Sequence, residues 1–126
     1  MNLNFIRLIV GKIKTKIYTF YVQQHIKSCG KGLRVNELSH ISGKVRIGNN
    51  CHFNGVNIIG DDVIIGNNCH FGHQIQIIAT NHNYDYGKTL PYDSTFINKK
   101  VVLENNVWVG NNAIILGGGY ILVKVQ

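Results

Sequence analysis

Apolar residues return at every sixth position through the middle of the chain. Val35, Ile41, Ile47, Phe53, Ile59, Ile65, Phe71 and Ile77 hold this phase without a gap. A second set, four places further along each hexapeptide, is mostly small or β-branched: Ser39, Val45, Cys51, Val63, Cys69 and Ile75. Gly48, Gly60, Gly66 and Gly72 directly follow in-phase residues. A helix repeats near 3.6 residues and a strand near 2, so this rhythm matches neither an amphipathic helix nor an ordinary half-buried sheet. Hexapeptide periodicity predicts a parallel β-helix, an all-β chain wound into a prism with one hexapeptide on each face.

A longer repeat supports the three-sided form. Ile47 to Phe53 reads I-G-N-N-C-H-F, and Ile65 to Phe71, three hexapeptides later, reads the same. Each side chain then meets its equivalent one turn on. The in-phase residues point inward and stack, with Ile47 over Ile65 and Cys51 over Cys69. Gly at the corners tolerates the positive φ of a tight turn, and Asn tolerates it better than most residues.

The rhythm differs at both ends of this ladder. From Leu3 to about Ile26, apolar residues recur at threes and fours (Ile6, Val10, Ile13, Ile17, then Phe20 or Tyr21), which predicts a helix. Such a helix could cap the open end of the prism. Being basic and amphipathic, it could instead make peripheral contact with an anionic membrane through residues 1–27. Ser28 to Gly32 reads as a linker, so the expected division is a helical segment and linker at 1–32 and a prism at 33–126. After Ile77 the phase resumes only at Leu103, Val109, Ile115 and Ile121. An ejected loop is therefore expected at about 83–100, and loops held on rigid scaffolds are where function concentrates.

Charge changes the reading of partners. The formal charge is +7, yet residues 1–36 carry Arg7, Lys12, Lys14, Lys16, Lys27, Lys31 and Arg34 with no acid, and the remainder is balanced. The excess belongs to the N-terminal segment, so no nucleic-acid partner is expected. The three cysteines read as free thiols of a reducing, cytoplasmic setting, because the rise between turns exceeds the usual Cβ separation across a disulfide. No apolar run has the length of a membrane span, and the N-terminus lacks a signal-peptide cleavage pattern.

Of the six histidines, His40, His52, His70 and His73 fall at corner or outward positions, and His25 lies in the helical segment. His82 sits where the ladder breaks, in T-N-H-N-Y-D, and is the candidate for chemistry. His70, His73 and His82 could be offered as a metal set, but the ejected loop and the segment around Trp108 speak against it.

The ladder, the loop opening on Asn81-His82, and the stretch V-V-L-E-N-N-V-W-V-G-N-N-A-I-I-L (Val101 to Leu116) resemble the hexapeptide-repeat acetyltransferases. The branch most alike is that of the maltose, galactoside and polysaccharide O-acetyltransferases. The resemblance implies a left-handed parallel β-helix, a homotrimer, and acetyl-CoA as donor in the groove between neighbouring prisms, with a saccharide as acceptor and no metal. It implies that His82 is the general base, since an imidazole can take the proton of a sugar hydroxyl as the oxygen attacks the thioester. It places Trp108 near the pantetheine arm and Asn111 in the cofactor groove. It also places His52, one coil before His82 on the same side, at an acceptor-contacting position. Asp85 or Asp93 could orient His82 or the acceptor, with Asp93 taken as the substrate-binding residue. Relatives continue past Ile115-Leu116 with Pro-Gly and further coils. Here Gly117 replaces the Pro, Leu122 stands where Gly is expected, and Lys124 is the one cation nearby, so the chain is expected to be C-terminally truncated and impaired. The competing expectation is an inactive relative that serves as a trimeric scaffold.

Overall fold

A computed structural model of the protein describes residues 1–121; the expectations placed on Leu122 and Lys124 fall outside them. One helix, α1 (Leu3–His25), precedes a series of short strands. These are β1 (Ser28–Cys29), β2 (Arg34–Glu37), β3 (His40–Ser42), β4 (Val45–Ile47), β5 (His52–Asn54), β6 (Val56–Ile59), β7 (Val63–Ile65) and β8 (His70–Phe71). They continue with β9 (Ile75–Ile78), β10 (Thr80–His82), β11 (Phe96–Asn98), β12 (Val101–Leu103), β13 (Trp108–Val109), β14 (Ile114–Leu116) and β15 (Tyr120–Ile121).

The chain passes through three parallel sheets in rotation. The first has the order β1-β4-β7-β12-β15, the second β13-β8-β5-β2 and the third β14-β9-β6-β3. Each strand pairs with the strand of the next pass, as in Ile47 with Ile65 and Phe53 with Phe71. The result is a β-rich body of stacked parallel sheets with one N-terminal helix. Its core is continuous from Val35 through Ile115, and Phe53 meets Phe71 edge to face at 4.9 Å. Each fully buried aliphatic or aromatic side chain contributes about 1.5–3 kcal/mol relative to exposure.

The repeated N-N corners divide their labour. The first Asn of each pair caps the layer before it: Asn49 Oδ1 accepts from Lys31 N–H at 2.8 Å, Asn67 Oδ1 from Asn49 N–H at 2.7 Å, and Asn105 Oδ1 from Asn67 N–H at 2.7 Å. The second Asn takes the left-handed backbone, with φ of 55° at Asn50, 56° at Asn68 and 63° at Asn106. The preceding glycine therefore serves close approach rather than positive φ. A Cβ on Gly66 would lie 2.7 Å from the Glu104 carbonyl carbon.

The expected phase slips once. Ile59 is 40% exposed, whereas Ile58 is fully buried and pairs with Ile41 and Ile77. The backbone shifts register between Val35 and Glu37, and the corner at Asn54-Gly55 is one residue tighter than strict hexapeptides require. Successive strand residues face opposite ways, so a slip of one exchanges inside for outside. Val56 accordingly occupies the buried position that the rhythm assigns to Asn57. The body also starts earlier than expected. Ser28 and Cys29, read as linker, are registered with Arg46 and Ile47.

Helix α1 covers the first pass with a different face from the one its apolar stripe suggests. Val22 is its one fully buried residue, with Tyr18 and Tyr21 packed beside it. Thr19 Oγ1 accepts the Val35 N–H at 3.0 Å, and Thr15 Oγ1 donates to Asn36 Oδ1 at 3.2 Å. Strand β2 is the edge of its sheet, and its outward N–H groups need partners that water or a covering element must supply. Thr19 answers that need at Val35, and Thr15 adds a bond to the Asn36 side chain, so Thr15, Tyr18, Thr19 and Val22 form the packing face. Ile6, Val10, Ile13, Ile17 and Phe20 are exposed. No described helix is long and apolar enough to cross a membrane.

Candidate functional site

The ejected segment is an ordered arm. Strands β10 and β11 pair antiparallel, with Thr80 opposite Asn98, Asn81 opposite Ile97 and His82 opposite Phe96. The arm thus departs at Thr80, before the expected start at 83. Asn68 and Asn106 across this insertion are 38 residues apart and still hydrogen-bond, where the matching corner one layer earlier joins residues 18 apart, Asn49 with Asn67. The arm leaves and returns without disturbing the stack. Thr80 Oγ1 donates to Asn98 Oδ1 at its root, and Asn83 N–H donates to Thr95 O at 3.0 Å further out.

His82 lies in the base of this arm, half-buried. Tyr92 stacks on its ring with centroids 3.7 Å apart and planes 16° from parallel, and Phe96 tilts against it at 5.0 Å. The backbone N–H of His82 donates to Asn81 Oδ1 at 2.8 Å. Its Nδ1 is buried and has no hydrogen-bond partner among the described residues. The ring opens on a cleft of about 330 Å³ lined by Ile59, Ile78, Thr80, Asn81, His82 and Phe96. A smaller hollow of about 130 Å³ lies on the other side of the arm, with Lys99 its cation and Ile78, Tyr84 and Leu116 among its walls. The slip that turns Ile59 outward is what makes it a wall of the His82 cleft.

Asp93 is committed to the arm itself. Its Oδ2 accepts from Lys88 N–H at 2.8 Å, and its Oδ1 accepts from both the N–H and the hydroxyl of Thr95. The Thr95 hydroxyl first, then the Lys88 and Thr95 N–H groups, hold this carboxyl below the usual carboxylate range. It does not touch His82; it shapes the turn that brings Tyr92 onto the ring.

The other expected site residues stand elsewhere on the chain. Trp108 lies on the second sheet beside His70, with 79% of its surface exposed. His52 is on that same sheet, not on the side of His82 as expected. Its ring stacks on His70 at 4.3 Å, and Arg34 is its register partner in the layer before. Burial first, then His70 and Arg34, lower the His52 pKa. Asn111 Oδ1 accepts the His73 N–H at 2.8 Å, the same capping role as Asn49 and Asn67. Within one chain the structure therefore joins Trp108 to His70 and His52, but joins none of them to His82. The residues that sequence reasoning missed are Tyr92, Phe96 and Ile59. No spacing announces the first two, because the pairing that places them exists only once the arm closes.

His70, His73 and His82 do not converge. His73 Nδ1 lies 3.1 Å from Glu37 Oε2, His70 is in the His52 stack, and no group of three or more potential metal ligands gathers among the described residues. Cys51 and Cys69 are buried, and each thiol reaches a backbone carbonyl one layer on, at 3.1 Å: Gly66 O for Cys51 and Glu104 O for Cys69. The hydrogen bond between the two thiols, followed by burial, pushes Cys51 up, and the same bond draws Cys69 down to about 7; both sulfurs are fully buried, which keeps either from a substrate.

Comparison with protein-family models, with curated proteins and with solved structures finds no match to this chain.

Proposed function

We propose that the chain is an acetyl-CoA-dependent O-acetyltransferase of the left-handed parallel β-helix type, acting on a saccharide hydroxyl. The observation that carries the reading is the seat of His82. An imidazole is stacked on Tyr92 and in contact with Phe96 at the root of an ordered arm, facing a cleft with both apolar and polar walls. Stacking fixes the plane of the ring, which a general base requires before its acidity matters.

In the proposed reaction the imidazole of His82 removes the proton from an acceptor hydroxyl as that oxygen attacks the thioester carbonyl. The carbonyl oxygen takes up negative charge in the tetrahedral intermediate and needs a donor, for which backbone N–H groups beside the cleft are the available kind. Collapse of the intermediate expels the CoA thiolate, and the imidazolium returns the proton to it. Transfer is direct, with no acyl-enzyme, and the buried thiols take no part. Thr80 and Asn81 supply polar contacts to an acceptor; Asp93 acts on the site only by shaping the arm.

Acetyl-CoA would lie between copies of a homotrimer. Trp108 supports this arrangement, since an indole so exposed, on a different sheet from His82, is a surface that a neighbouring copy and the cofactor would cover. Asn111 Oδ1 is taken by the His73 N–H, so a contact to the cofactor would fall to its amide nitrogen. The test is release of CoA thiol from acetyl-CoA by the purified chain across a panel of sugars, alongside sedimentation. Acceptor-dependent release by a trimer, lost in His82→Ala while CoA binding persists, supports the reading. A trimer that neither binds CoA nor releases thiol with any sugar returns the chain to the scaffold alternative.

A further inference from the structure

Helix α1 has two faces and only one is used. Thr15, Tyr18, Thr19 and Val22 meet the first pass of the body. At about 3.6 residues per turn, Ile6, Ile9, Ile13, Ile17 and Phe20 form a stripe on the opposite face. These five are 38%, 42%, 52%, 59% and 64% exposed, in that order. Every residue from 1 to 14 is exposed, so the first turns of the helix project past the body with nothing packed on them. An isolated helix of that length is marginal in water and gains its stability from an apolar surface laid along it.

Charge decides what that surface is. Lys12 and Lys16 fall along one border of the stripe, and Arg7 and Lys14 along the other. No acid occurs before Glu37. A second copy of α1 laid on this face would bring eight like charges together with no acidic partner, counting these four from each chain, and like charges across an interface oppose docking. An apolar stripe bordered by basic side chains is the pattern of a helix lying in the plane of a membrane interface, with its lysines reaching up to the headgroups. We propose that α1 docks this face on an anionic lipid bilayer and holds the β body at its surface. The helix lies along the bilayer and does not cross it: its 23 residues would reach across, but Arg7, Lys12, Lys14 and Lys16 interrupt the apolar run that a span needs. Packing and docking do not compete, because the two use opposite faces of one helix.

The test is flotation of the full chain with two kinds of vesicle, one of phosphatidylcholine alone and one containing phosphatidylglycerol. The chain should float with the anionic vesicles, less so with the neutral ones, and release as salt rises. Lys12→Gln and Lys16→Gln should each weaken binding about fivefold, the contribution of one basic residue near an anionic surface. Ile13→Glu combined with Ile17→Glu should abolish flotation while circular dichroism and sedimentation stay as in the unsubstituted chain, since neither side chain packs on the body. Failure to float with anionic vesicles overturns the proposal, as does flotation that the double variant leaves unchanged. Lipid-free assemblies that the double variant disperses would assign the face to a second copy instead. None of these readouts depends on acetyl transfer.

Discussion

The ring of Tyr92 lies on the ring of His82, centroids 3.7 Å apart, although the two residues belong to different parts of the arm. The stack makes Tyr92 a positioning residue for the proposed base. His82→Ala should lower acetyl transfer by about 10²- to 10⁴-fold, the usual contribution of a general base, with CoA binding retained. Tyr92→Ala should lower kcat more than it raises KM, and Tyr92→Phe should restore most of the loss, because stacking needs the ring and not the hydroxyl. Steady-state kinetics of the three variants separates positioning from simple damage to the fold; equal loss in Phe and Ala variants would remove stacking as the cause.

Ile58 and Ile59 are adjacent and chemically identical, and they should behave oppositely. Ile58→Ala empties a fully buried position and should cost about 2–5 kcal/mol in urea unfolding. Ile59→Ala should stay within about 0.5 kcal/mol, as for surface substitutions, while altering acceptor use because Ile59 lines the cleft. Ile65→Asp, which buries an unpaired carboxylate in the stack, should prevent folding altogether. A stable, soluble Ile65→Asp variant would contradict the inward stack.

At the corner after β7, Gly66→Ala drives a Cβ against the backbone of Glu104 and Asn105 and should cost about 1–3 kcal/mol, as overpacking does. Two residues on, Asn68 has φ of 56°, a conformation glycine adopts freely. Asn68→Gly should therefore fold normally, losing only the side-chain bond to Asn106, whereas Asn68→Val should be strongly destabilised. Thermal melts of the three variants rank the two corner roles.

Acid should loosen the arm before it affects the body. The Asp93 pKa is depressed in the folded chain, so its contribution is complete above the unfolded carboxylate value, about 3.9, and is lost as pH falls through the lower folded value. Exchange of the Lys88 and Thr95 amide protons, monitored by NMR, should gain protection-factor losses in that window. Asp93→Ala should show the same losses already at neutral pH and no further acid step. Unchanged protection in Asp93→Ala would mean that the arm is held by its strand pairing alone.

Much of the stack was legible in the chain. The in-phase positions at Val35, Ile41, Ile47, Phe53, Ile65, Phe71 and Ile77 are buried as read, and the equivalence of Ile47 with Ile65 is a registered pair. A repeat is legible because every layer imposes the same local demand: an inward aliphatic, an Asn to cap the layer before, an Asn in the left-handed region. Those demands are met within a few residues, so the sequence carries them openly. The segment that departs from the stack was legible too, as a break in phase, and with it the singular place of His82.

What the tertiary structure decided are the features that depend on what lies opposite. Ile58 rather than Ile59 is inside because one corner is tighter by a residue, and periodicity averages over such a slip. The stripe of Ile6, Ile13 and Ile17 predicts a helix but not which face packs; the unpaired N–H of Val35 chose Thr19 over the more apolar side. Tyr92 and Phe96 reach His82 only through the antiparallel closure of the arm, a long-range pairing that leaves no local rhythm in the chain. Short-range geometry repeats and can be read from the sequence; contacts between distant segments are single events, and only the folded chain determines them.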